Sequence, residues 1–160
     1  MRRYLFTDKA PTPGFYSQAV CVNPGDCTLV FLAGQTGNLP KVEDKEEPVV
    51  SGGLGPQTTQ ALKNILAVVE AAGGGVNDIV ELKVFLKDSV MNSQSKPSAR
   101  TAQREMFNSA YVEFFTQHKR TKEAGNLPAR TMMWVAEVPL EFPTEDTLVE
   151  ITAVAAIPRR

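Results

Sequence analysis

One alternating segment between two helical patterns constrains the fold of this chain most. Between Val80 and Lys87, apolar residues alternate with charged or aromatic ones, which predicts a strand with one buried face. Upstream, apolar residues recur at helical spacing from Pro56 until the glycines 73–75, which cap the helix. Downstream, a second helix is predicted to end near 118, after a polar loop over 89–99. Strands joined through helices imply crossovers within one sheet, with both helices on the same face.

The remaining segments predict the other strands of this sheet. Three strands are expected before the first helix, over 1–7, 17–22 and 28–33, and the turn at 23–26 joins the last two into a hairpin. Two more follow the second helix, one carrying Arg130 near its start and one over 147–157. The predicted order is β-β-β-α-β-α-β-β, an α/β (α+β) fold. At 160 residues, we expect a single domain spanning 1–160.

The two helices can cover only one face of the predicted sheet. With no third helix, the apolar residues of the last two strands are expected on the other face. These residues are Met132, Trp134, Val149, Ile151 and Ala153. Another copy of the chain is the simplest cover for such a face, so we expect an oligomer.

The composition excludes several classes of function. A formal net charge of -1 and a pI near 5.9 offer no broad attraction to nucleic acid or to anionic membranes. Cys21 and Cys27 are too few for a disulfide scaffold and are expected to be reduced strand residues, and the lone His118 leaves zinc without a ligand set. No apolar run reaches membrane-spanning length, and the N-terminus does not resemble a signal peptide, so we expect a cytoplasmic protein.

Two charged residues interrupt apolar strands and are the main candidates for chemistry. Arg130 follows Pro128 and Ala129 at the start of a strand, where its rigid fork of donors suits a carboxylate. A structural ion pair is an equally good interpretation. Glu150 interrupts the apolar run 148–154, and burying a carboxylate is costly unless it is paired. It either pairs with a cation across the sheet or orients a water molecule and moves a proton.

Two further residues are candidates for ligand contact. Tyr16, between a Pro/Gly loop and a strand, could donate its hydroxyl to a ligand or simply belong to the core. Gly34 ends a strand, where it either lets a backbone N–H approach a ligand or only serves a turn. No Ser/His/Asp or Cys/His set is convincing, because the lone His118 ends a polar helical turn. Any reaction must therefore act on a substrate that is already reactive.

Seven segments together resemble the RidA family, also called the YjgF/YER/UK proteins. They occur in the family's order and span nearly the whole chain. They are 13–19 (PGFYSQA), 33–35 (AGQ), 60–65 (QALKNI), 70–73 (EAAG), 84–88 (VFLKD), 128–130 (PAR) and 149–151 (VEI).

The resemblance implies a chorismate-mutase-like fold assembled as a homotrimer, with ligand sites between subunits. It also implies cofactor-free hydrolysis of 2-imino acids, or their enamine tautomers, to 2-oxo acids and ammonia. The arginine that binds the substrate carboxylate matches Arg130, and the glutamate that holds the water matches Glu150. Tyr16 and Gly34 match residues that line the family's site, and Asn92 is taken as the match of its asparagine.

The chain also departs from the family's pattern. Thr131 and Met132 stand where serine and often cysteine follow the arginine, and the loops over 89–100 and 119–127 are extended. Three other functions remain open: an endoribonuclease or translation inhibitor, a non-catalytic trimer that binds small carboxylates, and a specialised biosynthetic enzyme on the same fold. The near-neutral charge gives the ribonuclease no support, and the presence of Glu150 beside Arg130 favours catalysis over mere binding.

Overall fold

The computed structural model describes residues 2–10, 19–41, 48–88, 96–139 and 146–159. The predicted order of strands and helices is confirmed, with one short strand added after the hairpin. The elements are β1 (Arg2–Leu5), β2 (Ala19–Val22), β3 (Cys27–Leu32), β4 (Gln35–Thr36), α1 (Leu54–Ala71), β5 (Ile79–Lys87), α2 (Lys96–Gln117), β6 (Ala129–Val135) and β7 (Val149–Pro158).

The described strands form one mixed sheet in the order β1-β2-β3-β7-β5-β6, with β4 also pairing with β7. Strand β7 is antiparallel to both β3 and β5, whereas β5 and β6 are parallel. The parallel pair is joined through α2, and this confirms the predicted crossover. Strand β6 therefore lies at one edge of the sheet and carries Arg130 there.

The helices end where the sequence stops them, but α2 begins earlier than predicted. Helix α1 closes on Gly73, whose φ of 95° is the left-handed conformation that glycine adopts at a helix end. Helix α2 begins at Lys96, inside the predicted loop, because Pro97 is well tolerated in a first helical turn. Neither helix, among the residues described, combines the length and apolar character needed to cross a membrane.

Both helices pack on one face of the sheet, as expected, but the assignment of the last two strands to the open face was wrong. Strand register shows this, because the side chains of residues paired across neighbouring strands lie on the same face of the sheet. Val84 pairs with Ile151 on one side and with Met132 on the other, and Leu86 pairs with Val149 and Trp134. Val149, Ile151 and Ala153 are buried in the core under the helices, and Met132 and Trp134 pack against it.

Other apolar residues occupy the open face. Tyr4, Phe31 and Met133 are 63%, 48% and 40% exposed, on strands β1, β3 and β6. The open face of the described sheet is thus partly apolar, though with different residues from those predicted. Both cysteines are free, and neither pairs with the other across the hairpin: Cys21 lies opposite Val30 and Cys27 opposite Pro158.

Candidate functional site

Arg130 lies beside α2, at the second position of β6. Its register partner Leu82 belongs to the buried, helix-covered face, and the guanidinium carbon lies 4.6 Å from the ring centre of Tyr111 and 5.3 Å from that of Phe107. The residue is nevertheless exposed. Among the described residues, no carboxylate lies within 4.0 Å of this guanidinium. The described part of the chain therefore holds Arg130 by stacking and leaves its donors available.

Tyr111 supplies the nearer ring and is itself buried. Burial raises the pKa of its phenol, and the positive charges of Arg130 and Arg120 partly oppose that rise. The ring therefore stays uncharged at neutral pH and presents its electron-rich face to Arg130.

Arg120 is a buried cation that the sequence analysis missed. Its guanidinium donates to three backbone carbonyls, with distances of 2.6 Å to Asn126 O, 2.5 Å to Val76 O and 3.1 Å to Ile79 O. Burial lowers the pKa of its guanidinium. This side chain ties the extended loop 119–127 to the start of β5, just before the chain enters β6. In the sequence it stands among lysines and threonines, so nothing there distinguishes it from a solvated loop cation.

Glu150 lies on the opposite, open face of the sheet. Its neighbours Val149 and Ile151 are buried under the helices, and Glu150 is in register with Phe85 and Thr36. The carboxylate lies directly against Gly34, because a Cβ built on that glycine would be 1.8 Å from Glu150 Oε1. Gly34 does not have a positive φ. Space for Glu150, rather than turn geometry, is what requires glycine there.

The structure therefore places Gly34 and Glu150 together but separates them from Arg130. Alternation along β7 puts the Glu150 side chain on the face away from α2, whereas Arg130 stacks on the rings of α2. The two central candidates of the sequence analysis do not share one cavity within a single chain. Tyr16 and Asn92 lie outside the described residues, so their roles stay predictions.

Asn108 is a further polar residue that the sequence analysis missed. It follows Phe107 on α2 and contributes to a surface groove of about 640 Å³ along that helix. Its Oδ1 is buried and has no hydrogen-bond partner among the described residues. Buried acceptors are rarely left without a donor. Asn108 Oδ1 is therefore an unpaired acceptor that is closed off from ligands in the described part of the chain.

A separate charged cluster lies at the end of β5. Lys87 Nζ is 2.8 Å from Glu137 and 2.9 Å from Asp146, and the hydrogen bonds that it donates to these carboxylates raise its pKa. The buried carboxylate of Asp88 pairs with Arg100 of α2. Each of these charged groups already has a partner, so we assign them a role in stabilising the fold rather than in catalysis. No group of three or more potential metal ligands occurs within the described ranges.

Comparisons with known proteins cover nearly the whole chain. Residues 7–157 match the model of the family described as Endoribonuclease L-PSP. A RutC family protein of Pyrococcus horikoshii is 35% identical, with 97% of this chain and 98% of that protein covered. A 2-iminobutanoate/2-iminopropanoate deaminase of Salmonella typhimurium is 33% identical over 97% of this chain and 98% of its own length.

Solved structures show the same architecture. The YjgF gene product of Escherichia coli superposes with a TM-score of 0.69 at 32% identity, and 99% of each chain is covered. The structure of E. coli TdcF with bound serine gives a TM-score of 0.69 at 29% identity, again with 99% of each chain covered.

One mixed sheet with two helices on one of its faces, in a chain that carries the seven sequence segments in the family's order, defines an α+β protein of the RidA type. The chain belongs to the Endoribonuclease L-PSP family, which is the YjgF/RidA family. The resemblance drawn from the seven sequence segments is thereby confirmed.

Proposed function

We propose that this protein is a cofactor-free deaminase that hydrolyses reactive 2-imino acids, or their enamine tautomers, to 2-oxo acids and ammonia. The observation that carries the proposal is the state of Arg130: its guanidinium stacks on two aromatic rings, and no carboxylate of the described residues neutralises it. Relatives that are 33% and 32% identical are named 2-iminobutanoate/2-iminopropanoate deaminases, which supports the same reaction here.

Arg130 binds the carboxylate of the substrate in this proposal. Two parallel N–H donors match two carboxylate oxygens, and such a pair fixes orientation as well as position. Stacking on Tyr111 uses the face of the guanidinium and leaves its edge, where the N–H groups lie, for the ligand. Asn92 then supplies a further polar contact.

Glu150 positions the water. A protonated imine carbon is already electrophilic, so a held water needs only the right direction and an acceptor for its proton. The water oxygen bonds to C2 while Glu150 takes the proton, and the resulting carbinolamine then breaks its C–N bond. Glu150 returns that proton to the nitrogen, which leaves with the electrons of the C–N bond while the hydroxyl oxygen forms the C=O bond. The hydroxyl proton passes to the departing ammonia, so the products are an ammonium ion and a 2-oxo acid. No electrons are exchanged and no cofactor is required.

The site is completed by a second copy of the chain. Arg130 and Glu150 lie on opposite faces of one sheet, and the open face carries exposed Tyr4, Phe31 and Met133. Packing the open face of one copy against edge strand β6 of another brings the two functional groups to one cleft and covers apolar surface. We propose a homotrimer with three such clefts. Its ligands are small 2-imino or 2-oxo acids, and neither nucleic acid nor membrane is a partner.

A trapping assay tests the function. An amino acid oxidase generates 2-iminobutanoate or 2-iminopropanoate in the presence of semicarbazide, and a deaminase suppresses formation of the semicarbazone. Wild type is expected to suppress it, and Arg130→Ala and Arg130→Lys are expected to lose that activity. Arg159→Ala, which removes an exposed arginine at the far end of β7, is the matched control and retains it.

The same preparation separates the alternatives. A wild type that binds pyruvate without affecting the semicarbazone would be a non-catalytic carboxylate-binding protein. Cleavage of RNA, abolished by the same Arg130→Ala change, would indicate the ribonuclease that the family's description names. Activity confined to another class of imine would point to a specialised biosynthetic role.

A further inference from the structure

Beneath Arg130 lies an aromatic pair, Phe107 and Tyr111, one turn apart on α2. We propose that Tyr111 is a positioning residue: its ring fixes the plane of the Arg130 guanidinium, so that the donor edge faces the incoming carboxylate. The inference rests on the proposed function, in which Arg130 binds that carboxylate.

The distances place the guanidinium on the ring of Tyr111 more closely than on that of Phe107. Its carbon is 4.6 Å from the centre of the Tyr111 ring, well inside the range of about 6 Å for a cation over an aromatic face. The Phe107 ring, at 5.3 Å, extends the same surface. The two neighbouring rings together form the surface against which the guanidinium lies.

The rings are themselves held from below. Phe107 is fully buried and Tyr111 is 5% exposed. Tyr111 stacks with Phe107 at 6.0 Å and tilts against Phe115 at 4.8 Å between ring centres. Arg120, fixed by three carbonyls, lies over the other ring in this row, 5.3 Å from the centre of Phe115. Tyr111 cannot turn away without disturbing this packing, so it is a rigid support.

Rigidity matters because Arg130 is on the surface. A free arginine side chain samples many rotamers and loses that freedom when it binds a ligand. A guanidinium that already lies on a fixed ring has lost part of this rotamer freedom before the ligand binds, and this favours binding. The phenol oxygen takes no part, so phenylalanine at position 111 should serve as well, and an aliphatic residue should not.

Three variants separate positioning from packing. Tyr111→Leu removes the ring, and Tyr111→Phe keeps it without the hydroxyl. Phe114→Leu is the matched control, because Phe114 is also 5% exposed on α2 and packs on Phe115 and His118, with no contact to Arg130. Both leucine variants remove a buried ring from the same helix, and both should lower Tm by similar amounts.

The first measurement reports on Arg130 without any reaction. The ¹H–¹⁵N signal of the Arg130 Nε–Hε group, assigned by its loss in Arg130→Lys, should be shifted upfield by the ring beneath it. The shift should persist in Tyr111→Phe and Phe114→Leu and should move toward the free-arginine value in Tyr111→Leu. An Arg130 signal that is the same in Tyr111→Leu and wild type would overturn the inference.

The second measurement uses the imine-trapping assay. Tyr111→Leu should raise KM about tenfold with kcat little changed. The cation–π contact that it removes is of ordinary strength and contributes to substrate binding, not to the chemical step. Tyr111→Phe and Phe114→Leu should keep the wild-type KM. An equal rise in Phe114→Leu would mean that loosening α2 is the cause and would reject positioning by Tyr111. A wild type without activity contradicts the proposed function instead, and the Arg130 signal then still decides the inference.

Discussion

Arg130 and Glu150 project from opposite faces of the same sheet. Arg130 is in register with Leu82 of the buried face and stacks on α2, whereas Glu150 is in register with Phe85 of the open face. One chain therefore presents an anion-binding group on one side and a carboxylate on the other. The proposed site follows from this arrangement, because only a neighbouring copy can bring the two groups to one ligand.

Gly34→Ala should damage the site while sparing the fold. The new Cβ would meet the carboxylate of Glu150 at 1.8 Å, and the end of that flexible side chain is what must move. We expect imine hydrolysis to fall at least about tenfold, with a stability loss below about 1 kcal/mol, because the displaced group is not core packing. Activity and urea unfolding of the same sample provide the comparison.

Gly55→Ala is the matched control for that change. Gly55 lies in the first turn of α1, and a Cβ there meets nothing within 4 Å. Alanine should stabilise the helix by up to about 1 kcal/mol and leave activity unchanged. Full activity in Gly34→Ala would show that the position of the Glu150 carboxylate does not matter.

Arg120→Met should destabilise the protein strongly. The change leaves three carbonyls, those of Val76, Ile79 and Asn126, without their charged donor. We expect a loss of about 2–4 kcal/mol in the free energy of unfolding, measured from the urea midpoint at constant m-value. Lys122→Met, an exposed cation of the same loop, should stay within about 0.5 kcal/mol of wild type. Equal effects of the two changes would mean that Arg120 does not hold the loop.

Burial of Tyr111 predicts a pH-dependent stability. Its pKa is raised above the ordinary 10.0, so above that pH the unfolded chain releases a proton that the folded chain keeps. Stability from this group is complete below pH 10 and is lost as the pH rises further. The stability difference between wild type and Tyr111→Phe should therefore be constant from pH 7 to 9 and should turn against wild type between pH 10 and 11. Urea unfolding at each pH measures it, and a difference independent of pH would contradict burial of the phenol.

The sequence was sufficient to predict the helices and strands and their order, because apolar residues recur in α1, β5 and α2 with the clear spacing of a helix or a strand. It was not sufficient to predict which face of the sheet the apolar residues of β6 and β7 occupy. Met132, Trp134 and Ile151 look alike as strand residues, and only their pairing with Val84 and Leu86 shows that they point toward the helices. The short strand β4 has two residues and leaves no pattern to detect.

The candidate site was predictable in its charged groups but not in their surroundings. Arg130 and Glu150 stand out because each interrupts an apolar strand. The ring beneath Arg130 could not be predicted, since Tyr111 is nineteen positions away on a helix whose alignment with β6 is set by tertiary packing. Gly34 was identified from the sequence. The reason for glycine at this position, which is space for the Glu150 carboxylate, was not, because it depends on the irregular backbone between β3 and β4.

Mixing two inactive variants tests the central claim most directly. Arg130→Ala and Glu150→Gln chains carrying different tags are co-expressed, and oligomers that hold both tags are purified and assayed for imine hydrolysis. If each site takes Arg130 from one copy and Glu150 from its neighbour, one of the three interfaces in every trimer that holds both tags is intact, and activity returns to about one third of the wild-type level. Mixed oligomers as inactive as their parents, or a protein that remains a monomer, would contradict the account.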